Sequence, residues 1–183
     1  MEFIPDLQLG RMNGWIPIFI FYTLFGLFLL SCPKPIVRKL YSAKGWSKRD
    51  YTLSALGKPF ALVYLALVIL SPLKLGTPIF WIGAVMYMVG FLIMFTALFE
   101  YRATPADQPV RSGIYKYSRN PQWVGLEVMF LGTAVACGNG LAILLLLTCA
   151  SFYHFRILGE EKACEEEYGE PFQDYLGSVS RYF

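Results

Sequence analysis

Arg156 and Glu160 stand four residues apart where the last apolar run of the chain gives out, so on a helix they share a face and can touch. A guanidinium grips a carboxylate with two parallel hydrogen bonds, which an ammonium cannot do, and a fixed carboxylate beside it would hold it in one orientation. Upstream, SGIYKYSRNPQWVG (112–125) gathers Tyr115, Lys116, Tyr117, Arg119 and Asn120 directly before another apolar run. Downstream, the last 25 residues carry Glu160, Glu161, Glu165, Glu166, Glu167, Glu170 and Asp174 against Lys162 and Arg181. Anionic lipid repels an acidic tail and basic loops attract it. The tail is therefore expected to fold over the 112–125 loop and close a pocket for a charged small molecule. Two more ionisable residues sit inside apolar runs, Glu127 and His154. Such residues are candidates for function. A hairpin turning at Asn139 would also let these two meet as a polar pair that glues helices together.

The elements that must position these groups are apolar helices. Of 183 residues, 56% are hydrophobic and 16% charged, against about 25% charged in soluble domains. Five apolar runs cover 15–30, 59–73, 77–99, 123–137 and 141–158. Roughly 20 residues are needed to cross the hydrocarbon core, so the second run needs its flanks. The fourth and fifth are joined only by Gly138-Asn139-Gly140, a tight turn by composition. Fourteen Lys and Arg flank the runs on one side and two, Arg11 and Lys74, on the other. That imbalance predicts an outside N-terminus and a cytoplasmic C-terminus. Leu29-Leu30-Ser31-Cys32 has the form of a lipoprotein cleavage site, but the seven basic residues of 32–58 argue against export of that loop. In the tail, 160–168 suits a helix, Gly169 and Pro171 break it, and 172–176 suits another. Tyr168, Phe172 and Tyr175 form an aromatic stripe.

The expected fold is an all-α integral membrane protein. It has five transmembrane helices, the last two a helical hairpin, and a cytoplasmic C-terminal helical cap. A single domain spans 1–183, with three N-terminal spans in 1–99 and the functional core in 100–183. The first two spans are open to either reading, scaffold or substrate recognition. Cys32, Cys137, Cys149 and Cys164 form no CxxC pair, so neither a metal site nor a disulfide framework is indicated. No basic patch suits a nucleic acid.

PVRSGIYKYSRNPQWVG, then a stretch of apolar residues, then RILGEE, then YGEPFQDYLGSVSR resembles the isoprenylcysteine carboxyl methyltransferase family, part of a superfamily that includes phospholipid N-methyltransferases. The pattern is LVxxGxYxxxRHPxYxG, a hydrophobic hairpin, RxxxEE and an aromatic tail. It runs from Val110 to Arg181. Val110, Gly113 and Tyr115 fall on the first element, and Arg119 to Trp123 on the second. Arg156, Glu160 and Glu161 fall on RxxxEE, and Tyr168, Gly169, Phe172 and Tyr175 on the tail. The resemblance implies an S-adenosylmethionine-dependent methyltransferase with an integral membrane location. By the same resemblance Asp107, Gln108, Pro109, Val110, Tyr115, Asn120, Pro121, Gln122, Trp123, Glu160 and Glu161 surround the cofactor, and no metal is required. Asn120 stands where the family has His, and Trp123 where it has Tyr. Asn cannot titrate, so a holding role is expected of it.

No GxGxxG occurs, so backbone amides of 107–115 are candidates to hold the cofactor. A carboxylate acceptor is ionised at neutral pH and needs orientation rather than a base. Arg156 is then the expected anchor, with Glu160 fixing it. An amine acceptor would need Glu160, Glu161 or His154 as base and would be repelled by Arg156. The expected activity is carboxyl O-methylation of a prenylcysteine-like, lipophilic acid drawn from the membrane lipid. The alternatives are phospholipid amine N-methylation, a nicotinamide-dependent sterol-type reductase and a non-enzymatic membrane protein. Short length and compact loops suit a prokaryotic cell membrane, where the acceptor could be a small lipid-linked acid.

Overall fold

The computed structural model describes residues 1–43, 45–105 and 107–183; Lys44, part of the basic 32–58 segment, and Ala106 lie outside the described residues. Among the described residues the regular elements are helices: α1 (Trp15–Ser31), α2 (Lys34–Leu40), α3 (Lys48–Leu70), α4 (Pro78–Ala103), α5 (Pro121–Ala136), α6 (Gly140–Tyr168) and α7 (Glu170–Ser178), with a single 3-10 turn at Gly113–Lys116. Helices α3, α4 and α6 are long and apolar enough to cross a membrane, and α1 is apolar but shorter. The protein is an all-helical membrane protein.

Local chemistry sets where the helices begin. Ser47 caps α3 and Asp50 answers it, its carboxylate taking the Ser47 backbone N–H at 2.8 Å. The helix that carries the second apolar run therefore starts eleven residues before the run itself, at Lys48 rather than at 59, and supplies the flank the run needs. Thr77 caps α4 ahead of Pro78, and Asn139 caps α6, its side chain accepting from Ala142 N at 2.9 Å. The run at 141–158 and the 160–168 segment, read apart in the sequence, form one helix of 29 residues. At 1.5 Å per residue α6 is about 44 Å long, so it outruns a hydrocarbon core of roughly 30 Å. It ends at Gly169, whose φ of +63° is open to glycine and strained for other residues. Helix α2 has no counterpart among the sequence expectations.

The bundle closes on two seams. Along the first, α4 meets α5 through Gly83 and Gly90 on one side and Gly125 and Gly132 on the other. A Cβ at Gly90 would lie 2.3 Å from the Met129 amide, and one at Gly132 would lie 2.4 Å from the Tyr87 amide. Each pair is seven residues apart, two helical turns, so the glycines form a stripe that lets the backbones touch. Along the second, α6 packs on α3, with Gly57 against Phe152. The α5–α6 hairpin exists in connectivity, but α5 packs most closely on α4 and α6 on α3. Helix α1 lies across the first seam, Phe21 and Phe28 packing with Met94, Leu98 and Met129.

Candidate active site

The chemistry-bearing residues collect at the end of the bundle where α4 runs out, α5 begins and α6 projects. Between α4 and α5 the chain turns at Gly113, whose φ is +56° and which faces the Glu100 carboxylate; Ser112 Oγ donates to that carboxylate at 2.9 Å. This turn buries Tyr115. Its hydroxyl accepts from Gln122 Nε2 at 2.8 Å and its backbone carbonyl accepts from the Tyr175 hydroxyl at 2.7 Å. Helix α7 is thereby tied to the loop before α5. Burial pushes both the Tyr115 and the Tyr175 hydroxyls above the ordinary tyrosine range, so both stay neutral.

A second knot centres on Glu161, one of the few buried charged side chains. Arg119 Nε reaches it at 3.1 Å, Arg181 Nε at 3.0 Å and Asn120 Nδ2 at 2.9 Å. Arg119 also donates to Leu176 O at 2.6 Å and, from its backbone, to Ser180 O at 2.9 Å. Every acidic oxygen of Glu161 is thus matched by donors, as a buried carboxylate requires. Asn120 holds the knot with its amide, which spans Glu161 Oε1 and the Arg181 carbonyl.

Two cavities flank the neighbouring carboxylate, Glu160. The first, of about 350 Å³, is lined by polar and aromatic groups, among them Lys39, Tyr101, Tyr115, Glu160, Glu167, Tyr168, Phe172 and Tyr175. The second, of about 400 Å³, runs down between the helices past Phe21, Phe25, Leu65, Met94, Phe130 and Leu146. Leu40, Gln122, Trp123 and Glu160 belong to both. At this shared wall Arg156 Nε donates to Glu160 Oε1 at 2.8 Å, and Trp123 Nε1 donates to Glu160 Oε2 at 3.4 Å. The Arg156 guanidinium lies 5.0 Å from the ring centroids of both Trp46 and Trp123. Trp123 in turn stacks on Tyr153 at 4.9 Å. Glu160, Trp46 and Trp123 thus fix the guanidinium in orientation while its two terminal nitrogens meet no acceptor among the described residues.

Of the residues expected at the cofactor, Pro109, Val110, Tyr115, Asn120, Gln122, Trp123, Glu160 and Glu161 line the polar cavity. Asp107, Gln108 and Pro121 do not; Gln108 offers its backbone carbonyl to Lys39 Nζ, and Pro121 is buried as the first residue of α5. Arg156 faces the apolar cavity at its junction with the polar one. Glu127 and His154 do not meet. His154 Nδ1 pairs with the Tyr182 hydroxyl at 2.7 Å, because it lies off the α6 stripe (Leu146, Cys149, Tyr153, Arg156, Glu160) that faces the apolar cavity. Sequence reasoning missed Lys39 and Trp46. Lys39 lies 5.4 Å from the Tyr101 ring centroid and 5.6 Å from that of Tyr168. Burial draws its ammonium below the ordinary lysine range, opposed by Cys164, Glu167 and Asp107. Its only trace in the sequence was membership of a basic loop, which topology alone explained.

A polar cavity that shares a wall with an apolar one inside a helical bundle can bring a water-soluble and a lipophilic molecule together. The chain belongs to the phospholipid methyltransferase family, whose family model matches residues 68–171. It is similar to the protein-S-isoprenylcysteine O-methyltransferase of Schizosaccharomyces pombe, 36% identical over 71 residues, which cover 38% of this chain and 30% of that protein. It is also similar to the protein-S-isoprenylcysteine O-methyltransferase of Dictyostelium discoideum, 28% identical over 112 residues, 55% of this chain and 47% of that protein. The chain spans less than half the length of the curated relatives it matches. No solved structure matches it.

Proposed function

We propose that this chain is an S-adenosylmethionine-dependent methyltransferase that O-methylates the carboxylate of a lipophilic acid of the isoprenylcysteine kind. One observation carries the reading: Arg156, fixed by Glu160 and two tryptophans, presents uncommitted guanidinium nitrogens at the wall between the cavities. A carboxylate is the group that two parallel N–H donors fit. The polar cavity suits the cofactor, with Glu160 and Glu167 for its cationic groups, Lys39 for its carboxylate, and the rings of Tyr101, Tyr168 and Phe172 for its flat base. When bound, S-adenosylmethionine supplies a methyl group on a positive sulfur. The chain's own part is positioning and exclusion of water. Arg156 orients the acceptor oxygen toward the shared wall, Glu160 keeps Arg156 from swinging away, and Trp46 and Trp123 shield the guanidinium. An ionised carboxylate needs no base, so positioning can supply several kcal/mol of the barrier. The apolar cavity takes the acceptor's tail.

The same reading includes five crossings, with α1 and α5 as the two shorter ones. The N-terminus lies outside, and α7 is a cytoplasmic lid over the polar cavity. Support comes from the fourteen-to-two division of Lys and Arg. Residues 1–183 act as one domain, since Lys39 and Trp46 from the N-terminal half line the same cavity as Glu160. The phospholipid headgroup amine is the rival acceptor, and an ammonium arriving at Arg156 would be repelled. Calorimetric titration with S-adenosylhomocysteine tests the cofactor half of the reading. Saturable binding that falls at least tenfold in Glu160→Ala is expected, since a hydrogen bond to a charged group contributes about 1.5–3 kcal/mol. No binding to folded wild type would end the methyltransferase reading.

A further inference from the structure

Exposed charges at the active-site end of the bundle separate by sign. Lys34, Arg38, Lys48 and Arg49 are exposed on α2 and the first turn of α3, whereas Glu166, Glu167, Glu170 and Asp174 are exposed on the end of α6 and on α7. Lys162, the exposed cation among those acids, is paired with Glu166 at 3.8 Å. Lys34, Arg38 and Lys48 form no ion pair among the described residues, and Arg49 lies 5.9 Å from the Phe155 ring centroid. Tyr41 and Tyr51 in the same segment are also exposed. On α2, Lys34 and Arg38 stand at i, i+4 and share an outward face. Its other side forms part of both cavities: Lys39 and Leu40 line the polar one, Leu40 and Tyr41 the apolar one. The protein holds this wall lightly. Among the described residues, α2 is tied by Lys39 Nζ donating to the Pro105 and Gln108 carbonyls and by the packing of Ile36 and Leu40, and no other helix runs packed along it.

Depth in the membrane gives these cations a partner. Helix α3 is long and apolar enough to cross, and it ends at Leu70. A crossing of about 20 residues counted back from Leu70 begins near Tyr51, so Lys48, Arg49 and α2 before them stand at headgroup depth. Unpaired cations beside exposed tyrosines suit an anionic bilayer surface, the cations meeting phosphate and the rings meeting the boundary with the acyl chains. We infer that α2 and the first turn of α3 dock on anionic phospholipid headgroups through Lys34, Arg38, Lys48 and Arg49, and that this contact fixes the α2 side of both cavities. The surface charge of the bilayer then becomes part of the site, because α2 anchored on its outward face presents Lys39 and Leu40 inward. The acids of α6 and α7 are repelled by the same surface, which keeps the two sets of charge apart. The coupling to the site rests on the methyltransferase reading; the docking does not.

The test uses the full chain in nanodiscs of phosphatidylcholine alone and of phosphatidylcholine with phosphatidylglycerol. Amide hydrogen exchange over 34–49 is followed by mass spectrometry, and S-adenosylhomocysteine affinity is measured beside it. In the anionic discs wild type is expected to exchange about tenfold more slowly in that segment, and to bind S-adenosylhomocysteine several-fold more tightly. Both differences should vanish when Lys34→Gln, Arg38→Gln and Lys48→Gln are combined, while unchanged protection of the α4–α5 seam shows that the variant is folded. The exchange difference in wild type should also vanish at about 1 M salt, where charges at a surface are screened. Equal exchange of wild type in the two lipids, or a difference kept by the triple variant, overturns the docking. Slowing in phosphatidylcholine discs on adding soluble glycerol phosphate assigns the cations to a free anion and overturns it too. Slowed exchange with equal S-adenosylhomocysteine affinity in both lipids removes the coupling to the site. Slowed exchange with no S-adenosylhomocysteine binding in either lipid leaves the docking standing and ends the methyltransferase reading.

Discussion

The two cavities share a wall but are built by different means. The apolar one is framed by helix faces: a stripe of α5, a stripe of α6, and α1 and α3 laid across them, all resting on a glycine seam between α4 and α5. The polar one is assembled from pieces far apart in the chain: α2, the 109–120 loop, the projecting end of α6 and α7. Its walls are held by ion pairs, single hydrogen bonds and a small apolar cluster of Val110, Tyr115, Phe172 and Tyr175. The first cavity is therefore as rigid as the bundle. The second can loosen while the bundle stays folded, since its apolar cluster is separate from the two between the long helices.

That contrast can be broken most severely at the seam. Gly90→Leu puts a side chain where a Cβ alone already lies 2.3 Å from the Met129 amide. The cost should exceed about 3 kcal/mol, the upper end for ordinary overpacking. The expected result is loss of monodisperse protein in detergent and of both cavities together. A well-folded Gly90→Leu protein would show that the seam is not what frames the apolar cavity.

The next effect falls on the other side. Glu161→Gln leaves Arg119 and Arg181 without their shared carboxylate, and breaking a buried pair costs about 3–5 kcal/mol. The bundle should nevertheless survive in detergent. The C-terminal segment should become open to protease, and S-adenosylhomocysteine affinity should fall. Protease resistance equal to wild type would contradict a tail held by Glu161.

How much of this was legible is clearest at the helix ends. The apolar runs marked five helices, and Gly169 marked the break between α6 and α7. Hydropathy could not see that Ser47 and Asp50 begin α3, since caps are polar. Nor could it show that the acidic 160–168 segment continues α6, because helix propensity, not apolarity, carries the chain there. The contact between Arg156 and Glu160 was legible because helical spacing brings them together. Trp46 and Lys39 were not, since only tertiary folding carries α2 and its following loop across the cavity. The Glu127–His154 pairing failed for a related reason. Register around the hairpin brings their levels together, but His154 points off the shared face.

The smallest expected effect concerns closure of the polar cavity. The buried hydroxyls of Tyr115 and Tyr175 have raised pKa values, so the fold favours their neutral forms. The stability they contribute is full below the unfolded tyrosine value of about 10 and is lost as pH rises from there toward their folded values. The thermal midpoint should therefore stay level from neutral pH to about 9 and fall above about 10. Tyr175→Phe removes the bond to the Tyr115 carbonyl, at a cost of about 1 kcal/mol, and should make that alkaline fall shallower. An alkaline profile identical to wild type would place the titrating groups elsewhere.

Methyl transfer itself bears most directly on the shared wall. Wild type and Arg156→Lys are incubated with radiolabelled S-adenosylmethionine and N-acetyl-S-farnesylcysteine, and base-labile methyl ester is counted beside base-stable methylamine on phosphatidylethanolamine. The expected result is ester from wild type, at least tenfold less in kcat from Arg156→Lys because a point charge replaces the planar fork, and similar S-adenosylhomocysteine binding by both. Label appearing in the amine, or ester formed equally well by Arg156→Lys, would contradict the assignment of Arg156 as the carboxylate anchor.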